Sequence, residues 1–307
     1  MSRRLRFIPE GGALVEVTCR TVHGRFLLRP TPELNEIIVG ILARAQQRYE
    51  VSVCAFSFLN NHYHILLRVE NAEQLAGFMG YLNSNLAREA GCLADWKEKF
   101  WSRRYDAIVI SEETAAQIGR LKYVLSNGTK ENLVARPQDW PGAHAVQALL
   151  AGTTALEGLW FSRAQEYGAN RQGKQFDRLK YATTETLILS PLPCWEHLPQ
   201  DQQRERIADL VREIEAEAAA ERERTGIEPP GPAAIRAQKP HDRPNKSKKS
   251  PAPFCHAASK AVRRELYDAY AWFVGCFRQA AEKWKAGDLA ASFPCGSFPP
   301  GRPFVTA

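Results

Sequence analysis

The residues most suited to chemistry are Asn61-His62-Tyr63-His64. In an extended strand, side chains two apart share a face. His62 and His64 therefore sit side by side, placed to hold one metal ion or one phosphate. Tyr63, Ile65, Leu67 and Val69 turn the other way, toward a core. An H-x-H pair alone is a short, weak pattern that solvated or core histidines also produce. The second reactive candidate is in Lys122-Tyr123-Val124-Leu125-Ser126-Asn127. Helical spacing puts Ile118, Leu121 and Leu125 on a buried stripe, and Tyr123 on a neighbouring face with Ala116, Gly119 and Asn127 one turn away. A phenol with a pKa of about 10 is a weak nucleophile without a cation beside it. Two imidazoles and one amide oxygen would give a divalent ion three protein ligands and leave positions open for a phosphate oxygen. A tyrosine beside that ion could attack phosphorus and split phosphodiester transfer into two steps.

The elements that must position these groups follow from periodicity. Residues 13–20 alternate as a strand, with Val15, Val17 and Cys19 on one face and Glu16, Thr18 and Arg20 on the other. Thr31 and Pro32 start a helix, with Leu34, Ile37, Ile38, Ile41, Leu42 and Ala45 as its apolar stripe. Residues 51–58 and 62–69 form two strands joined by Leu59-Asn60-Asn61, a turn that suits asparagine at positive φ. Asn71 caps a second helix, with Gln74 three residues on. Residues 103–110 form a fourth strand, and Ser111 caps a third helix that Gly128 stops. The order β-α-β-β-α-β-α gives an α+β fold of the split βαβ, ferredoxin-like kind, an antiparallel sheet with helices. Beyond it the chain reads as a mostly helical C-terminal extension.

The string FSFLNNHYHILLRV, with VEVTCR, MGYLNSNLAR, FWSRRYDAIVI, LKYVLSN and LVARPQDWPG in the same order, resembles the REP-associated tyrosine transposases. These belong to the single-tyrosine HUH, or IS200-like, transposase family. The resemblance spans about residues 8–145. It implies that His62, His64 and Asn127 are metal ligands for Mg²⁺ or Mn²⁺ and that Tyr123 is the nucleophile. The implied reaction cleaves single-stranded DNA, leaving a 5′-phosphotyrosine link and a free 3′-hydroxyl that can rejoin another end. It implies a hairpin or repeat element as DNA partner, and many such enzymes act as dimers. Two departures stand out. Glu16 occupies a position where relatives commonly carry histidine, and Ser126-Asn127-Gly128 replaces a typical Leu-Asn-Pro.

With 307 residues, 44% hydrophobic and 24% charged, the chain has ample material for a core. The division expected is a catalytic domain over 1–145, a helical extension over 146–225, a basic Pro/Lys-rich linker over 226–255, and a helix with an irregular tail over 256–307. No apolar run approaches 18 residues, so no membrane span is expected. The N-terminus lacks the apolar segment of a signal peptide. Seven cysteines without a CxxC pair point to a reducing, cytoplasmic setting. Forty-one Lys+Arg against 34 Asp+Glu, a net charge of +7, suits a nucleic-acid partner. The candidate DNA contacts are Arg20, Asn83, Asn85, Arg88, Arg103, Arg104 and Lys122. An N-terminal arm (Arg3, Arg4, Arg6) and a lysine patch (Lys246, Lys248, Lys249) add charge. His256 has no evident ligand partner in the sequence. Two other functions fit the same residues: a non-catalytic DNA- or RNA-binding protein on the same sheet, and a metallohydrolase that activates water at the histidine pair.

Overall fold

The structure is a computed structural model that describes residues 4–171, 178–244 and 252–301. β1 (Ala13–Arg20), α1 (Pro32–Tyr49), β2 (Ser52–Phe58), β3 (His62–Val69), α2 (Ala72–Leu93), β4 (Asp106–Ile110) and α3 (Thr114–Leu125) follow in the expected order. The sheet order is β2-β3-β1-β4, with all three pairings antiparallel. The local rules hold at two helix starts. Thr31 accepts the Leu34 amide and Asn71 accepts the Gln74 amide, each satisfying an otherwise orphaned N–H.

Alternation along β3 decides the layering. Tyr63, Ile65 and Leu67 are fully buried, and the Tyr63 hydroxyl donates to Asn83 of α2 at 2.6 Å. That face of the sheet therefore carries α2, with α1 packed beside it. Tyr123 of α3 meets His64 on the opposite face.

Three local expectations are corrected. Neither Asn60 nor Asn61 adopts positive φ. Their carbonyls instead accept the Leu28 and Thr21 amides, so the neighbouring loop holds the turn. Ser111 does not cap α3: its hydroxyl donates to Glu113, which occupies the cap position. Gly128 does not end the helical path. A further turn, α4 (Asn127–Lys130), runs through Gly128, where a Cβ would lie 3.1 Å from the side chains of Trp140 and Val134.

The extension wraps the sheet rather than standing apart. After α5 (Val146–Ala151), β5 (Ala155–Phe161) and β6 (Ala182–Ile188) form an antiparallel ribbon, with α6 (Arg163–Arg171) between them. The extension expected over 146–225 as helical thus also carries a two-stranded ribbon. The ribbon lies on α1 at a glycine crossing, where a Cβ on Gly40 would come 2.1 Å from the Leu159 carbonyl oxygen. α7 (Gln200–Thr225) packs on α3, α4 and α5. In the expected linker, α8 (Gly231–Ala237) buries Ile235 completely. β7 (Cys255–His256) then adds to β4 in parallel as a fifth strand. α9 (Lys260–Lys285) follows, its Tyr270 and Phe273 packed on Phe7. Arg3 and the lysine patch at 246–249 lie outside the described residues. Among the described residues, no helix is long and apolar enough to cross a membrane. All seven cysteines are free.

Candidate active site on the histidine face of the sheet

Register places the histidines. Thr18 pairs with His64 and Arg20 with His62, so the 16–18–20 row of β1 and the 62–64 row of β3 share a face. The two imidazole rings lie 5.1 Å apart, centroid to centroid. Each is oriented through Nδ1. His64 Nδ1 donates to the Glu16 carboxylate at 2.5 Å, and His62 Nδ1 lies 2.7 Å from the side-chain oxygen of Asn61. With Nδ1 as donor, Nε2 of a neutral ring is the nitrogen that carries the lone pair. That is how a carboxylate or carbonyl oxygen prepares a histidine for metal binding.

Glu16 is fully buried and uses both oxygens: one takes His64 and the other the Arg120 Nε–H. Burial alone would raise its pKa. The hydrogen bond and charge of His64, with those of Arg120, outweigh burial and hold the carboxyl below its ordinary value. His62 is held well below the ordinary histidine range, by burial first and then by the charges of His64 and Arg20. It is a neutral imidazole, the form that binds a cation.

Tyr123 faces this pair within the same chain. Its ring centroid lies 5.5 Å from that of His64, edge-on at 78°. Two cations flank the ring: Arg120 at 4.2 Å and Lys130 of α4 at 4.1 Å from its centroid. Burial, and then the charge of Glu16, raise the phenol pKa, with Arg120 partly opposing them. The hydroxyl is therefore protonated in the unliganded protein. Asn127 is buried, and its amide nitrogen donates to the Val124 carbonyl at 3.2 Å. Among the described residues no cluster of three or more His, Cys, Asp or Glu has metal-site geometry. A cation here would therefore depend on His62, His64 and a neutral oxygen such as Asn127, a donor set that fits a hard or borderline divalent ion with open positions.

Of the expected DNA contacts, Arg20 is exposed beside His62. Asn83, Asn85 and Arg88 belong to α2, on the far face of the sheet, and the structure does not bring them to the histidines. Asn83 accepts from Tyr63, Asn85 is buried, and Arg88 pairs with Glu166 and Glu89. Arg103 pairs with Asp106, Arg104 donates to the Arg4 carbonyl, and Lys122 bridges to Glu213 and Glu217 of α7. Sequence reasoning passed over Arg120, Lys130 and the orienting role of Asn61. Arg120 stands three residues before Tyr123, a helical-neighbour spacing that could have revealed it. His256 also joins this face: it pairs with Ile110 on β4 and its Nε2 comes 3.8 Å from where a Cβ on Gly119 would stand.

Residues 26–127 match the family model described as Transposase IS200 like. The match covers about a third of the chain. It includes His62, His64, Tyr123 and Asn127 and begins after Glu16. Among solved structures, the chain is similar to a REP-associated tyrosine transposase bound to a REP hairpin, with 16% identity and a TM-score of 0.42 over 49% of this chain and 86% of that one. It is also similar to a proposed transposase from Deinococcus radiodurans R1, with 17% identity and a TM-score of 0.27 over 39% of this chain and 95% of that one. No curated protein matches the chain.

Proposed function

We propose that this protein is a DNA strand transferase in which Tyr123 attacks a phosphodiester of single-stranded DNA beside the His62–His64 pair. The observation that carries the reading is the meeting of the Tyr123 ring with the His64 ring in one chain, with both histidines oriented through Nδ1. In the step proposed, the Tyr123 oxygen bonds to phosphorus and the P–O3′ bond breaks. The phenol proton is balanced by the proton that the departing 3′-oxygen takes up. The product is a 5′-phosphotyrosine link and a free 3′-hydroxyl, and attack by another 3′-hydroxyl reverses the chemistry.

Mg²⁺ or Mn²⁺, held by His62, His64 and Asn127, would supply Lewis-acid stabilisation of the phosphate charge. The protein's own groups do the rest. Glu16 and Asn61 hold the imidazoles in their ligating tautomers. Arg120 and Lys130 brace the nucleophile's ring and offset the negative charge that builds on its oxygen. Arg20, exposed next to His62, is placed to take a neighbouring phosphate. A hairpin-bearing single strand is the proposed substrate, and a homodimer the proposed assembly. Residues 1–145 carry the chemistry in this reading.

The test is incubation with oligonucleotides and Mn²⁺, followed by denaturing electrophoresis. A 3′-labelled strand should move with the protein, and a 5′-labelled strand should appear as a shortened free fragment. Released 5′-phosphate with no protein-bound label would indicate attack by water, and the tyrosine reading would fail.

A further inference from the structure

On the far side of the sheet from Tyr123, α1, α2 and β5 enclose an open groove of about 490 Å³. Its wall includes Arg44, Arg48, Tyr49, Tyr81, Asn85 and Trp160, and none of the described residues that line it is acidic. The Tyr81 and Trp160 rings are stacked 5.6 Å apart at 24°. The Arg48 guanidinium lies 5.5 Å over Tyr81 and 5.9 Å over Tyr49. The aromatic set is held in place by backbone. Tyr49 lies over Gly77, where a Cβ would come 2.4 Å from its ring, and the Gly40–Gly158 crossing sets β5, which carries Trp160, against α1. Arg44 is tied to Glu185 at 2.9 Å. Arg48 is exposed and has no carboxylate partner among the described residues.

Flat π-faces beside an unpaired guanidinium are the chemistry that captures nucleobases and phosphates together. The volume falls in the roughly 300–1,000 Å³ range of small-ligand sites. We propose that this groove is a second nucleic-acid site, which stacks a base of a single strand on the Trp160–Tyr81 pair and seats a phosphate on Arg48. It would anchor a DNA segment away from the bond that is cut, because the sheet and its two helices lie between the groove and Tyr123. The polymer's identity rests on the function proposed above; the base-and-phosphate chemistry comes from the groove itself.

The test uses full-length protein and fluorescence anisotropy with a fluorescein-labelled oligothymidylate of about twelve nucleotides, within the roughly 4–16 nucleotides that an OB-fold single-strand binder covers. A duplex of equal length is measured alongside. Arg48→Glu should weaken single-strand binding about tenfold and reduce the log–log salt slope by about 0.7. Trp160→Leu should weaken it about fivefold or more. Duplex binding should hardly change. Arg48 is exposed, so its variant reads out binding even if the Trp160 variant loses its fold. Unchanged oligothymidylate affinity in Arg48→Glu overturns the groove, as does an equal loss on duplex. If the wild type forms a Tyr123 adduct while Arg48→Glu binds normally, only the groove fails. If no adduct forms but Arg48→Glu still loses oligothymidylate, the groove stands and the strand-transfer reading fails.

Discussion

Glu16 and His64 are joined at 2.5 Å across two neighbouring strands, and the same carboxylate holds Arg120, whose guanidinium covers the Tyr123 ring. Glu16 pairs across the strands with Leu66 and His64 with Thr18, so the two are diagonal neighbours on one face. One buried anion thus sets the tautomer of a candidate metal ligand and the position of a cation at the candidate nucleophile. β1, β3 and α3 are thereby tied together beside the candidate site.

Glu16→Gln should therefore act on both sides. It leaves Arg120 without its countercharge in a buried position, which costs about 3 kcal/mol when such a pair is broken. It also weakens the orientation of His64, for which a loss of about 10- to 100-fold in Mn²⁺ affinity is expected. Thermal unfolding and calorimetric titration with Mn²⁺ measure the two effects separately. A variant that keeps wild-type Mn²⁺ affinity would show that the Glu16–His64 bond is only structural.

Arg120→Lys keeps the charge and loses the planar fork that serves Glu16 and Tyr123 together. The adduct should form about tenfold more slowly, while single-strand affinity changes little. Quench-time gels give the rate, and anisotropy gives the affinity. An equal fall in both would assign Arg120 to DNA binding instead.

Acid should weaken the fold through His144. Its Nδ1 accepts the Val146 amide at 3.0 Å, and burial lowers its pKa to about 4. Protonation would turn that acceptor into a donor facing another donor. In the unfolded chain the ring titrates near 6.5. Between these values the unfolded state binds the proton and the native state does not. The stability His144 contributes is thus complete above pH 6.5 and declines as pH falls toward 4. Urea unfolding of His144→Gln between pH 7 and 4.5 should show a shallower loss than wild type. Parallel curves would remove His144 as the cause.

Gly40→Ala should destabilise the protein against its helix propensity. Alanine in mid-helix ordinarily gains about 1 kcal/mol over glycine. Here the added Cβ would stand 2.1 Å from a backbone oxygen of β5, and backbone cannot rotate away. The ribbon must lift off α1, so the melting temperature should drop. A stabilised variant would contradict the close crossing.

The frame of the candidate site was legible in the sequence because each element carried its own signal. The Thr31 and Asn71 caps, the stripe from Leu34 to Ala45 and the alternation around His62 are local, and all are observed. What escaped reading depends on distant partners. β5 contains Gly158 and β6 is mostly polar, so neither shows a strong strand pattern; the Gly40 crossing makes them a ribbon. β7 is two residues long and exists because β4 offers it an edge. The polarity of Asn83, Asn85 and Arg88 suggests a DNA-facing set. Tertiary partners on α2's own side of the sheet use Asn83 and Arg88, and Asn85 is buried there. Glu16 was visible as a departure from the family, but its two bonds needed the register of β1 on β3 and the reach of Arg120 from α3.

The most direct test compares wild type with Tyr123→Phe on a 3′-labelled hairpin oligonucleotide in Mn²⁺, followed by denaturing electrophoresis and by binding in parallel. Wild type should carry the label covalently, and the phenylalanine variant should bind the DNA with similar affinity yet carry none. An adduct that survives the loss of that single oxygen, or cleavage that continues undiminished without it, would place the chemistry on another group.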